Sequence, residues 1–262
     1  MPDIILEARE LAKHFGGLHA VDGVNLQVQA GALHSIIGPN GAGKTTLFNL
    51  LSGYLQPTHG QVIFNGRDIT GVPLHRIAHL GLGRSFQITN VFPNLTVLEN
   101  VRLAAQAIGH DHLKMWQLSD AFKPYLDRAY AAIEQAGLKG KEALSASVLP
   151  HGDKRKLELA IILAADPKVL LLDEPTAGMA SEQVPQLMAV IQGIRERGGK
   201  TIVLVEHNMN IVMRVSDRIT VMHQGRVLAE GAPSDIAANE AVQTAYLGES
   251  AKAAQETAKR NS

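Results

Sequence analysis

The amino-acid sequence predicts an α/β fold with a mainly parallel sheet, an antiparallel β region at the N-terminus and an inserted α-helical subdomain. Three observations carry this expectation. The apolar run at 169–172 has the length and composition of a buried strand, and 33–37 and 201–205 read as further strands. Runs at 45–51, 154–165 and 183–197 have helical periodicity, and strands alternating with helices imply parallel pairing. A glycine-rich turn separates the 33–37 strand from the 45–51 helix, so the order there is strand, loop, helix.

Residues 4–28 read as extended segments, with Val21, Val24, Leu26 and Val28 punctuated by Gly16-Gly17, Gly23 and Gly31. Asn65-Gly66 marks a tight hairpin, because both positions tolerate positive φ. From 94 to 140 the pattern turns helical, through Leu98, Val101, Leu103 and Ala105 and then Tyr130, Ile133 and Ala136. Runs at 219–223 and 226–230 around Gln224-Gly225 suggest a last hairpin before short helices. The expected organisation is one domain over 1–248. Residues 1–93 and 141–248 make its core and β region, 94–140 its helical subdomain, and 249–262 a frayed polar tail.

At 262 residues, 45% hydrophobic and 19% charged, the chain can bury a sizeable core. Its 25 basic and 25 acidic side chains cancel, so no global field steers it to nucleic acid or an anionic bilayer. Without cysteine, disulfides and thiolate metal sites are excluded. The longest apolar runs fall far short of the ~20 residues of a spanning helix. The N-terminus reads as neither a basic n-region nor an apolar h-region, so no secretory signal is expected.

Gly38-Pro39-Asn40-Gly41-Ala42-Gly43-Lys44-Thr45 satisfies the P-loop pattern. Small residues let backbone N–H groups approach phosphate oxygens, and the helix start adds fixed positive potential. In this pattern Lys44 contacts the β- and γ-phosphates and the Thr45 hydroxyl ligates Mg²⁺. Taken alone, the segment would also fit a glycine turn with an incidental lysine; the flanking strand and helix favour the phosphate loop. The strand 169–172 ends in Asp173-Glu174, which places two carboxylates at a sheet edge where α/β proteins bind ligands. Asp173 can hold Mg²⁺ through water, and Glu174 can act as general base on an attacking water, strand alternation turning the two apart. A helix-capping Asp with a surface Glu is the plainer alternative.

With these residues in place, the sequence resembles the nucleotide-binding subunit of ABC transporters over nearly its whole length. The resemblance implies a P-loop NTPase core that binds ATP and Mg²⁺. It adds Thr46 to the nucleotide-binding set of Gly38, Pro39, Asn40, Gly41, Ala42, Gly43, Lys44 and Thr45. Gln87, in Gly83-Arg84-Ser85-Phe86-Gln87, matches the glutamine that contacts Mg²⁺ or the attacking water. His207 matches the switch histidine at the γ-phosphate, and Phe15 the aromatic that stacks on adenine, although Phe15 would serve equally as core. Leu149-Pro150-His151-Gly152-Asp153 stands where the family's signature loop, usually Leu-Ser-Gly-Gly-Gln, closes over ATP on the opposite subunit. Pro150 supplies neither hydroxyl nor N–H, Gly152 keeps a backbone donor, and Asp153 adds a charge that could cap the following helix. Ala180, in Ala177-Gly178-Met179-Ala180, replaces the usual acidic or amide residue of the D-loop. Groups used on the chain's own ATP are thus intact, while both segments lent across a dimer are altered. Functional asymmetry in a heterodimer would follow; equally, backbone donors of His151 and Gly152 could suffice.

Arg84-Ser85-Phe86-Gln87, Leu95-Thr96-Val97-Leu98-Glu99-Asn100, Gly152-Asp153-Lys154-Arg155 and Ala245-Tyr246-Leu247-Gly248 resemble the ATPases of bacterial branched-chain amino acid importers and their relatives. This implies an ATPase peripheral on the cytoplasmic face of the membrane. Its partners would be membrane permease subunits, a second ABC ATPase subunit, identical or not, and indirectly a solute-binding protein, with no nucleic acid. The alternatives are an ABC exporter or lipid-extraction ATPase, and a soluble non-transport ABC protein. The last is disfavoured by the lack of a coiled-coil insert, a tandem cassette or a basic surface excess.

Overall fold

The computed structural model describes residues 3–85, 91–109 and 123–246. The chain forms two compact units, one running to Val72 and resuming at Val203, the other Pro73–Ile202.

In the first unit β1 (Ile4–Phe15) and β2 (Leu18–Gln29) make a long antiparallel hairpin. Along β2, Val24, Leu26 and Val28 point inward between exposed neighbours, the period-2 pattern of a half-buried strand. β1 also pairs with β4 (His59–Phe64), which turns at Asn65-Gly66, both at positive φ, into β5 (Arg67–Asp68). The resulting sheet has the order β2-β1-β4-β5. The same unit holds β3 (Leu33–Ile37), buried at all five residues, parallel to β9 (Arg218–His223). β9 hairpins through Gln224-Gly225 into β10 (Arg226–Gly231). After β3, α1 (Lys44–Leu51) buries Leu47, Phe48, Leu50 and Leu51. α7 (Met209–Val215), α8 (Pro233–Ala237) and a helix at 240–246 close a cluster of Ile37, Val212, Ile219, Val221, Ile236 and Val242.

In the second unit α2 (Leu74–Leu80) leads into β6 (Leu82–Arg84), which pairs in parallel with β7 (Val169–Asp173). α3 (Val97–Ala107) starts in a capping box, Thr96 and Glu99 satisfying each other's backbone N–H. It packs on α4 (Lys123–Gln135), and both pack on α5 (His151–Leu163). α6 (Val184–Gly198) stops at Gly199 in the left-handed region. β8 (Thr201–Val205), wholly buried, carries the chain back to the first unit.

The strands expected at 33–37, 169–172 and 201–205 and the three turns are present, as are α3 and α4 within 94–140. α5 begins at His151, three residues before the expected start. Pro150 takes the cap position with ψ 156°, and Lys154 N donates to its carbonyl at 3.0 Å, so 151–153 form the first turn. α2, β6 and α7 are too short for periodicity to have marked them. Gln87 and the segments 110–122 and 247–262, with the expected tail and Leu247-Gly248, lie outside the described residues. Among the described residues no helix is long and apolar enough to cross a membrane.

Candidate nucleotide site

The first unit carries the phosphate loop. β3 delivers the chain to Gly38, where an added Cβ would stand 2.2 Å from Met222 O of β9. At Gly43, φ is +96° and a Cβ would lie 2.3 Å from Ala20 O. A side chain at either place would have to displace backbone, so the turn between strand and helix is built on glycine. The loop is also stitched from outside: Gly225 N donates to Ala42 O at 3.0 Å, and Asp22 N to Gly225 O at 2.9 Å. Lys44, the first residue of α1, is 5% exposed, and its ammonium donates to Gly38 O at 2.7 Å and Pro39 O at 2.9 Å. The cation is thereby held beneath its own loop. No side chain caps α1 and no acid stands in its first turn, so the positive end of the helix is not neutralised. Thr45 is exposed and Thr46 half-buried, Asn40 and Gly41 are exposed, and Pro39 and Ala42 are buried.

Phe15, at the tip of β1, is 48% exposed and so is not core. Lys13 Nζ lies 5.2 Å from its ring centroid and donates to Gln56 O at 2.8 Å. Beyond β8, Glu206 is buried while His207 is exposed, its N–H donating to Glu206 Oε2 at 3.2 Å. Asn208 then caps α7, its side chain accepting from Asn210 N and Ile211 N.

The second unit carries the carboxylates. Asp173 closes a strand buried at every residue and is itself 5% exposed. Its N–H donates to Ser85 Oγ at 3.0 Å, and Ser85 N donates to Leu171 O at 2.8 Å, which extends the β6–β7 register by one residue. Glu174 does not continue strand alternation. Its φ is +46°, and Ala177 N donates to its carbonyl at 3.0 Å, so the chain turns left-handed at this residue. A non-glycine residue there costs about 1 kcal/mol or more, strain located at a prospective catalytic carboxylate.

The altered loop at α5 has a definite arrangement. Asp153, 9% exposed, does not cap the helix: it pairs with Lys141, and Lys156 Nζ lies 3.7 Å from its other oxygen. Arg155 Nη2 donates to Ala177 O at 3.3 Å and Nη1 to Glu158 Oε2 at 2.9 Å. A Cβ on Gly178 would lie 3.5 Å from His151 Cε1, and one on Gly152 3.0 Å from Gln183 Oε1. The segments at 149–153 and 177–180 are therefore held against each other, with Ala180 exposed.

A family model described as "ABC transporter" matches residues 21–177, more than half the chain. The chain belongs to the ABC transporter ATP-binding family. A second model, "Branched-chain amino acid ATP-binding cassette transporter", matches residues 226–252 of this ABC ATPase. It is 43% identical to the high-affinity branched-chain amino acid transport ATP-binding protein BraF of Pseudomonas aeruginosa, over 94% of this chain and 98% of the relative. It is 41% identical to LivG of Escherichia coli K12, likewise a high-affinity branched-chain amino acid transport ATP-binding protein, over 95% of this chain and all of LivG. Among solved structures, the ADP conformation of the ATP-binding cassette MJ1267 superposes with a TM-score of 0.82 at 30% identity, covering 94% of this chain and 99% of MJ1267. The dimeric cassette MJ0796 gives 0.74 at 26%, over 87% and 99%. The fold is that of P-loop NTPases, and the protein binds nucleotide and hydrolyses ATP to power transport, as ABC ATP-binding subunits do in dimers on membrane permease subunits.

In this ABC ATPase the structure gathers Gly38–Thr46 in one unit and Asp173, Glu174 and Ser85 in the other. Ser85, Lys141 and Arg155 take their places only in the tertiary structure: Ser85 has no local mark of its bond to Asp173, and nothing local links Lys141 to Asp153 twelve residues on or Arg155 to Ala177.

Proposed function

We propose that the chain is the ATP-hydrolysing subunit of an ABC importer for branched-chain amino acids or a related small polar or organic-acid solute. The observation that carries this reading is end-to-end similarity, above 40%, to two proteins named for branched-chain amino acid transport, with the 226–252 match beside it.

Lys44 meets the β- and γ-phosphates, while backbone N–H groups of Gly38, Pro39-flanked Asn40, Gly41, Ala42 and Gly43, with Thr46 at the helix start, cradle them. Phe15 stacks on adenine, for which its exposed ring and the neighbouring Lys13 suit it. The exposed Thr45 hydroxyl, the buried Asp173 carboxylate and the Gln87 amide are hard oxygen donors, the set Mg²⁺ takes, and these residues would hold it. When bound, Mg²⁺ neutralises charge developing on the transferred phosphoryl group. Glu174 orients the attacking water and accepts its proton, Gln87 helps position that water, and His207 donates to the γ-phosphate. Gly152 lends its N–H to nucleotide on a second ABC subunit. The working assembly adds permease subunits and a solute-binding protein, with this chain peripheral on the inner face of a bacterial membrane.

Reconstituted with its permease subunits and solute-binding protein, the complex is expected to accumulate leucine, isoleucine or valine only with ATP present. Glu174→Gln is expected to lower hydrolysis by about 10²–10⁴-fold while ATP binding persists. Transport in the opposite direction would reject the importer, and hydrolysis by Glu174→Gln at the parent rate would reject the base.

A further inference from the structure

The β1–β2 hairpin carries a side-chain cluster that ATP hydrolysis does not use. His14 and His19 are direct cross-strand partners, and their rings stack at 3.8 Å with 15° between planes. The register then shifts: Lys13 pairs with Val21, so two steps on β2 answer one on β1 and Ala20 is the extra residue. One extra residue reverses the facing of everything beyond it, which puts Asp22 on the face of His19 although the two are three apart. One donor atom from each of His14, His19 and Asp22 falls within 4.8 Å of the others. His14 Nε2 stands 3.9 Å from Asp22 Oδ1, and His19 Nδ1 4.0 Å from Oδ2.

We propose that His14, His19 and Asp22 form a binding site for a divalent ion of the Zn²⁺ class, with His59 as a fourth donor. Two imidazoles and a carboxylate are the ligand chemistry such ions select, with bonds of about 2.0–2.2 Å, so the donors need to draw in by under ~1 Å. His14 Nε2 is buried with no hydrogen-bond partner and lies on the side facing Asp22 Oδ1. Arg226 clamps Asp22 Oδ2 through Nη2 at 2.6 Å and Nε at 3.1 Å, leaving Oδ1 toward His14. That clamp orients the Asp22 carboxylate, as outer-sphere partners do for metal ligands. His59, exposed on β4, sets its ring edge-on to His14 at 6.2 Å, within reach after a rotamer change. The opposing groups are Arg226 and, one residue away, Lys13, which is engaged at Gln56.

The location links the ion to the phosphate loop without entering it. The bulge that aligns the ligands turns the carbonyl of Ala20 against Gly43 and Gly225, and Asp22 N is bonded to Gly225 O. An ion here pins the hairpin that ends in Phe15.

The test is calorimetric titration of ZnCl₂ into the full nucleotide-free chain with excess Mg²⁺ present, against His19→Ala, His14→Gln and the double variant. One Zn²⁺ per chain is expected, with Kd raised at least ~10-fold by either single change and binding lost in the double. His19 is exposed, so its variant keeps the fold even if His14→Gln does not; His75→Ala, on α2, is the matched control and binds as the parent. A parent chain that takes up no Zn²⁺, or a His19→Ala chain that binds with the parent's stoichiometry and Kd, overturns the site.

Discussion

The two loop-to-helix junctions at α1 and α5 share one layout, a turn that leads into a helix start, with opposite degrees of constraint. At α1 the turn has backbone packed against it at Gly38 and Gly43, a buried lysine bonded to its carbonyls, and no acid in the first turn. At α5 a proline caps the helix, the close approach at Gly152 is to a flexible glutamine, and an acid stands in the first turn. The second junction tolerates its acid because Lys141 and Lys156 draw the carboxylate into the fold. Under the roles proposed above, a loop that binds its own nucleotide has to fix the backbone, whereas a loop that offers N–H groups to a neighbour can vary its side chains if their charges are turned away.

The largest expected effect strikes the constrained junction. Lys44→Ala is expected to lower ATPase activity by about 10²–10³-fold, the scale of losing one charge-stabilising donor, measured as steady-state phosphate release. A variant within threefold of the parent would remove Lys44 from the mechanism.

β3, which feeds that junction, carries a second sensitivity. His34 is buried, and because Thr220 donates to Glu230 Oε2 at 2.9 Å, it accepts from His34 Nε2–H at 2.8 Å. That leaves Nδ1 buried without a partner, and burial lowers the His34 pKa to about 4. The unfolded chain, near 6.5, therefore takes the proton first as pH falls. Stability is unaffected above ~6.5 and drains away from 6.5 toward 4, by up to about 3 kcal/mol. Denaturant titrations from pH 7 to 4.5 should show this slope and His34→Gln should flatten it; an equal slope in both would place the sensitivity elsewhere.

Gly43→Ala against Gly152→Ala tests the difference in backbone constraint. The first meets backbone at positive φ and should destabilise by about 2 kcal/mol or more, the second by under ~1 kcal/mol, read from denaturation midpoints. Equal losses would end the contrast. The smallest effect is expected at Pro150→Ser in the assembled transporter. Restoring a hydroxyl adds one hydrogen bond, so ATPase should change by less than about threefold. A tenfold rise would show that the missing serine limits the opposite ATP site, the heterodimer asymmetry that the altered loop also allows.

Much of this was legible from the chain. The phosphate loop, the carboxylates ending a buried strand and the hairpins at Asn65-Gly66 and Gln224-Gly225 are local patterns whose backbone demands only certain residues meet. Phe15 could have been core or exposed, because an aromatic at a strand end satisfies either pattern. Asp153 read as a possible helix cap, since its partner Lys141 lies across a loop that periodicity does not span. Glu174 read as a continuing strand, because its left-handed turn has no compositional mark.

By itself the sequence determined the chemistry available to this protein: which residues can cradle phosphate, bear charge and end strands, since each depends on neighbours within a turn or two. Only the tertiary structure decided where Asp153 directs its charge and that a one-residue bulge aligns His14, His19 and Asp22. The reason is physical. Side-chain facing depends on strand register and on which cation lies nearest across a fold, and both are set by packing between segments distant along the chain.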